Sequence, residues 1–253
     1  MKVISIANQK GGVGKSTSSQ ALASTLGFKG KKVLLIDMDS QCNVTYASGI
    51  DSPEKSITDI LSQNCEIKDA VISCKYYDLL AADEYLTNVE MEADVEPTLL
   101  LKTTIKCLRN EYDYVVIDTP PALGRLSYNA ITASDYIVIP CEPSIYARTG
   151  LAALYRTIQN VQEHYNKNLI VLGILLIKYN NRTVLNRDIK EMIEEFAEQM
   201  NTIVFNTSIR ESVTVREAQT VRQPLIDYSK KSKPNQDYMK FTEELLQMIG
   251  GKA

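Results

Sequence analysis

The run Lys10-Gly-Gly-Val-Gly-Lys-Ser-Thr17 stands between an apolar stretch, Val3-Ile4-Ser5-Ile6-Ala7, and a helix-forming stretch from Ser18 to Phe28. A glycine-rich turn between a strand and a helix aims several backbone N–H groups at one point, at the positive end of a helix dipole. That geometry suits a chain of phosphates. Gly11, Gly12 and Gly14 are free to take positive φ, which lets a ligand approach the backbone closely. Lys15 is then placed for the β- and γ-phosphates, and the Ser16 hydroxyl for Mg²⁺. Gly11, Gly12, Val13, Gly14, Lys15, Ser16 and Thr17 together form the expected nucleotide-binding loop.

The usual spacing G-x-x-x-x-G-K-[ST] would place a glycine at position 9, where this chain has Gln9. The loop instead opens with a second lysine, Lys10. This is the deviant form K-G-G-x-G-K-[ST], and it resembles the loop of the ParA/MinD group of ATPases.

Around this loop, apolar runs alternate with helical stretches. Strands are expected at 2–7, 32–37, 78–81, 113–118, 135–140, 169–177 and 202–205. Helices are expected at 16–28, 55–62, 97–110, 125–133, 146–165, 183–199 and 234–249. Runs such as Val33-Leu34-Leu35-Ile36 and Tyr114-Val115-Val116-Ile117 are nearly continuous in Val, Ile and Leu. Such strands are buried on both faces of a mainly parallel sheet. The alternation implies an α/β fold, one doubly wound, mainly parallel sheet flanked by helices, with functional loops at the carboxyl ends of the strands. The 253 residues contain no internal repeat and no Gly/Ser linker, so residues 1–253 are expected to form a single domain. Residues 41–96 are the least regular part. Lys230-Lys231-Ser232-Lys233-Pro234 reads as a polar hinge with proline at a helix start.

Composition excludes several classes. The longest apolar runs fall far short of the ~20 residues needed to span a bilayer. The chain opens on a strand with no signal-peptide pattern, and Cys42, Cys65, Cys74, Cys107 and Cys141 form no C-x-x-C pair. A reduced cytoplasm is therefore expected, without a disulfide framework, zinc site or iron–sulfur cluster. His164 is the one histidine and lies at a polar helix end, which argues against histidine-based catalysis. Net charge is only −3 but unevenly spread. Residues 51–96 hold twelve Asp/Glu against three Lys, and residues 206–233 hold six Lys/Arg against three Asp/Glu. Such asymmetry points to a local polyanion-facing patch, built from Arg210, Arg216, Arg222, Lys230, Lys231 and Lys233.

Three strand ends are expected to converge on the loop. The second strand ends in Asp37-Met38-Asp39-Ser40-Gln41, and the strand at 113–118 ends in Asp118-Thr119-Pro120-Pro121. An apolar strand ending in Asp is the Walker B pattern. Its carboxylate holds Mg²⁺, usually through water, close to the Ser16 hydroxyl. K-G-G-V-G-K-S-T, L-L-I-D-M-D-S-Q and V-V-I-D-T-P-P-A-L-G occur in the order and spacing of the ParA family of partition ATPases. D-T-P-P and the element Ile209–Ala218 look more like ParA than MinD.

The resemblance implies an ATPase that converts ATP to ADP and phosphate with Mg²⁺, and that forms an ATP-sandwiched homodimer. Lys10 would reach the partner's phosphates, acting like an arginine finger supplied in trans, Lys15 would bind its own nucleotide, and Asp39 would orient the attacking water. Asp37 remains open between an indirect magnesium partner and a structural cap. ATP-dependent dimerisation would permit nonspecific DNA binding, ended by hydrolysis that a ParB-like or other centromere-binding partner stimulates. A cytoplasmic, nucleoid-associated protein follows, with the acidic 51–96 region as one candidate partner surface.

The chain departs from the family in two places. Ser40 stands where the family commonly has Pro, which implies slightly altered switching rather than lost activity. Glu211 and Thr214 stand where family arginines contact DNA, with Arg210 and Arg216 beside them. Asn180, Asn181 and Arg182 lie near the base or the dimer interface, or form a turn with a helix cap. Two alternatives stay open. One is a MinD-like membrane-associated ATPase, disfavoured because Glu243 and Glu244 sit in the C-terminal helix. The other is a non-partition P-loop ATPase on the same fold.

Overall fold

A computed structural model describes residues 1–91, 99–180 and 184–251. In chain order it contains β1 (Lys2–Ile6), α1 (Lys15–Phe28), β2 (Val33–Asp37), α2 (Asn43–Ala47), α3 (Ile57–Leu61), α4 (Ile67–Ala70), β3 (Val71–Ser73), β4 (Asp78–Leu80) and α5 (Leu86–Met91). There follow α6 (Leu100–Lys106), β5 (Tyr114–Asp118), α7 (Arg125–Ala133), β6 (Tyr136–Cys141), α8 (Ala147–His164) and β7 (Ile170–Leu176). The chain closes with α9 (Val184–Gln199), α10 (Val213–Thr220), α11 (Leu225–Tyr228) and α12 (Lys233–Gly250).

The strands form one sheet in the order β3-β4-β2-β5-β1-β6-β7. Every pairing is parallel except that of the edge strand β3 with β4. Burial on both faces explains the unbroken apolar runs. Ile4, Leu35, Val116 and Val138 turn to a layer shared with α1 and α12. Their chain neighbours Val3, Leu34, Ile36, Val115 and Ile117 turn to the layer of α3, α6 and α7. Ile137 and Ile139 do the same toward α8 and α9. Period-two alternation thus splits each apolar run between two cores.

The expected strand at 202–205 is not a strand. Val204 makes an isolated bridge with Ile174, and Ile209 another with Ile177. Between them the chain turns away, because the Glu244 carboxylate accepts from the Asn206 and Thr207 N–H groups and takes them off the sheet edge. Residues 41–91 hold more order than their composition suggests. Ser56 and Asp59 form a reciprocal capping box that starts α3, and β3 and β4 close on a turn in which Cys74 N–H donates to Tyr77 O. The helices expected to begin at 97 and 183 are described from Leu100 and Val184. His164 ends α8, exposed, with Nδ1 3.0 Å from Asn160 O.

Pro234 lies in the first turn of α12. The apolar face of that helix is spent against α1, with Phe241 and Leu245 fully buried. Phe241 meets Phe205 edge-to-face at 5.0 Å. Phe241→Ala is expected to cost about 3–5 kcal/mol of stability, read from urea unfolding. A loss below about 1 kcal/mol would mean that α12 is not part of the core.

Candidate functional site

The register places three strand ends side by side. Ile6 pairs with Asp118, and Asp118 with Asp37. The loop that leaves β1 therefore crosses directly over both aspartates. Thr119 Oγ1 donates to Ile6 O at 2.9 Å, which ties the two central strand ends together. Asn8, buried, fixes the start of the loop: its Nδ2 donates to Pro140 O and its Oδ1 accepts from Lys10 N–H.

Gly12 and Gly14 take φ of 73° and 72°, where a residue with a side chain is strained, whereas Gly11 does not need positive φ. Gly14 is also the N-cap of α1, so the free N–H groups of the first helical turn open toward the loop. Lys15 is buried at the base of this turn, and its Nζ donates to Lys10 O at 3.3 Å. Burial lowers the Lys15 pKa, and the Asp118 and Asp39 carboxylates offset part of that loss.

Asp118 is fully buried. Its Oδ1 accepts from Ser19 Oγ at 2.9 Å, and the Ser16 hydroxyl also favours its charged form. Burial, followed by the charge of Asp37, raises its pKa well above the usual carboxylate range. A carboxylate held this unfavourably as an anion is suited to a divalent cation, and among the described residues its Oδ2 has no hydrogen-bond partner. The donor set of Ser16 and Asp118 therefore fits Mg²⁺.

Asp37 and Asp39 have different surroundings. Asp37 is fully buried and consumed by structure: Oδ2 accepts from Thr45 N–H and Thr45 Oγ1, and Oδ1 accepts from Asp39 N–H. Of its two sequence readings, the contacts favour the cap. Asp39 lines the cleft above the loop, with Oδ1 accepting from Gln41 N–H.

That cleft has a volume of about 400 Å³. Its far wall comes from residues that sequence patterns did not single out for this purpose, among them Lys178, Gln219 and Tyr238. Lys178 Nζ donates to Gly12 O and pairs with Glu142. Gln219 Nε2 donates to Thr17 Oγ1, and the Tyr238 hydroxyl lies 3.1 Å from Ser18 Oγ. Lys178 comes from the carboxyl end of β7, and the C-terminal helices α10 and α12 bring Gln219 and Tyr238 here, so no local motif announces them.

The six basic residues of 206–233 do not form one free patch. Arg210 lines the cleft and is clamped to the buried Asp237 by Nε and Nη2, at 2.6 and 2.8 Å. Arg222 is paired with Asp51 and stacked on Tyr46. Arg216 also lines the cleft. Lys230, Lys231 and Lys233 remain on the outside, with the Lys230 ammonium 4.5 Å from the Phe28 ring centre. Lys29, Lys31 and Lys32, at the end of α1, are exposed as well. In the other polar cluster, Asn186 Nδ2 donates to Asn180 O, while Asn181 and Arg182 lie outside the described residues.

Lys10 is half-buried, with Nζ 3.4 Å from Ser144 Oγ. Beside it, Ile145 and Tyr146 are 69% and 70% exposed. Among the described residues, no helix is long and apolar enough to cross a membrane.

Comparison with known proteins agrees with this geometry. A family model described as an AAA domain matches residues 1–171. The sporulation initiation inhibitor protein Soj of Bacillus subtilis is 36% identical over 96% of this chain and 98% of its own. The chromosome partitioning protein ParA of Caulobacter vibrioides is 33% identical over 97% of this chain and 94% of its own. Among solved structures, cobyrinic acid a,c-diamide synthase from Mycobacterium smegmatis, with a bound ATP analogue and magnesium, superposes with a TM-score of 0.85. It is 29% identical, over 100% of this chain and 97% of that one.

Proposed function

This chain belongs to the ParA/Soj family of P-loop ATPases, and from that premise we propose that it is a DNA-partition ATPase whose ATP-bound dimer holds DNA until hydrolysis releases it. The observation that carries the proposal is Lys10. It sits at the mouth of the loop, half-buried beside two exposed apolar side chains, while Lys15 occupies the generic position beneath. One loop thus holds a lysine for its own nucleotide and a second at its rim, held among the described residues only by a long contact to Ser144, that would serve a neighbouring subunit.

In this proposal residues 1–253 act as one domain. Gly11 to Thr17 cradle the phosphates of ATP, and Lys15 neutralises the β- and γ-phosphates. Ser16 and Asp118 would hold Mg²⁺, which would supply charge neutralisation for the phosphates. Asp39, at the end of β2, orients the attacking water. Asp37 keeps Asp39 in place by fixing α2 and the backbone between them. Lys10 of one subunit neutralises charge that develops on the nucleotide of the other. Ile145 and Tyr146 supply apolar area for that contact. The product is ADP and phosphate, and with the γ-phosphate gone the dimer loses its bridge.

DNA would then meet a doubled basic surface, and a ParB-like or other centromere-binding partner would speed hydrolysis. The position of the protein would be cytoplasmic and nucleoid-associated. A MinD-like membrane helix is disfavoured because the apolar face of α12 is already packed on α1. The fold is shared with the cobyrinic acid a,c-diamide synthase, so fold alone does not select partition. The near-complete coverage by Soj and ParA favours it.

The test measures DNA binding and dimerisation together, with ATP, ADP and no nucleotide. ATP-specific dimers that bind DNA of any sequence support the proposal. ATP-dependent binding to anionic liposomes in place of DNA would replace it.

The DNA surface has its own test, altered by the structure. Arg210 and Arg222 serve internal pairs, so they are poor probes. Lys230, Lys231 and Lys233 replaced together by Glu should weaken DNA binding. The slope of log K against log salt should fall by about one unit for each phosphate that these lysines neutralise. Unchanged slope and affinity would move the DNA surface elsewhere.

A further inference from the structure

Arg222 follows the end of α10 with φ of 57°, a left-handed backbone that glycine adopts freely and arginine does not. Its side chain makes contacts that account for an arginine at such a place. Nε donates to Tyr46 O at 2.9 Å, and Nη1 donates to Asp51 Oδ2 at 3.0 Å. Nη2 lies 2.9 Å from Asp51 Oδ1, and the guanidinium carbon lies 4.3 Å from the centre of the Tyr46 ring. A planar fork that pairs, caps a helix carbonyl and stacks at once is a task that arginine performs and lysine does not.

The target of these contacts is α2, the short helix that follows Asp39. Toward β2, Thr45 is bound to Asp37, and Cys42 N–H donates to Asp39 O; Thr45 Oγ1 also accepts from Ala82 N–H, and Ser48 at the helix end is bonded to Gln20 and Tyr77. The helix is therefore anchored on its inner side to the strand end carrying both aspartates and to its sheet neighbours, and Arg222 adds the tie from beyond α10. Three residues before Arg222, Gln219 reaches Thr17 of the phosphate loop. The end of α10 thus touches the loop and the helix behind Asp39 simultaneously.

We propose that Arg222 is a positioning residue for ATP hydrolysis: it latches α2 to α10 and so holds Asp39 over the phosphate loop. This rests on Asp39 acting in hydrolysis, as proposed above. Asp51 is 70% exposed, so its ion pair alone contributes little. The orientation comes from the pair, the carbonyl and the ring acting on one guanidinium.

Arg222→Gly is the discriminating variant, because it removes the side chain while relieving the backbone. The measurements are thermal melting, hydrogen exchange of the backbone amides of 42–48, and ATPase kinetics. The expected result is a melting temperature equal to or above that of the unaltered protein. Exchange in 42–48 should be at least tenfold faster, and kcat should fall about fivefold to tenfold with KM for ATP within twofold. Arg222→Lys, which keeps the charge and loses the fork, should fall between the two proteins in kcat. A wild-type kcat in Arg222→Gly overturns the latch, as does a kcat loss with unchanged exchange in 42–48 or with a matching fall in melting temperature. If Asp39→Ala hydrolyses ATP at the wild-type rate, the role of Asp39 fails first and the latch falls with it.

Discussion

Lys10→Ala is expected to reduce ATP turnover by about a thousandfold or more, the range seen when a charge-neutralising finger is removed from phosphoryl transfer. Nucleotide binding should survive within a few fold. The reason is position: Lys15, not Lys10, is the buried lysine at the base of the loop, and Lys10 stands at its rim. The variant should also fail to dimerise with ATP, measured by light scattering across a concentration series. Normal turnover would remove the trans role of Lys10. Abolished turnover with intact ATP-dependent dimers would confine Lys10 to the transition state.

Lys15→Ala acts earlier, on binding itself. Each hydrogen bond between an ammonium and a phosphate oxygen contributes about 1.5–3 kcal/mol, so a side chain that reaches neither the β- nor the γ-phosphate should weaken ATP by about a hundredfold or more. Calorimetric titration of ATP is the check, and unchanged affinity would sink the loop assignment. The substitution also removes the cation between Asp118 and Asp39, whose charges favour protonated Lys15. Melting should therefore be recorded beside the titration. A folded protein without ATP binding separates the phosphate contact from the structural one.

The phosphate loop and the sheet were legible because their signals are local. Gly12 and Gly14 sit where the turn needs positive φ, and Val33–Ile36 and Tyr114–Ile117 are apolar on both faces because both faces are covered. The convergence of Asp37 and Asp118 under the loop also followed from strand ends, and the register of β1, β5 and β2 bears it out. The run at 202–205 misled because a short apolar stretch beside a sheet edge carries the same pattern as a strand. Only Glu244, from another helix, decides that its continuation is bound elsewhere. Asp37 and Asp39 look equivalent in D-M-D, yet one is sealed against Thr45 and the other lines the cleft.

What the sequence determined by itself was therefore the glycine-rich loop, the parallel sheet beneath it and the pair of lysines that marks the family. These depend on residues within a few positions of one another. Which charges are free was decided only by the tertiary structure. Arg210 meets Asp237 across 27 residues, and Arg222 meets Asp51 across 171. A guanidinium is drawn to whichever carboxylate the fold brings within reach, and composition counts both without knowing that they cancel. Packing of the C-terminal helices onto α1 thus turned two expected DNA contacts into a wall of the cleft above the glycine-rich loop and a clasp on the helix behind Asp39.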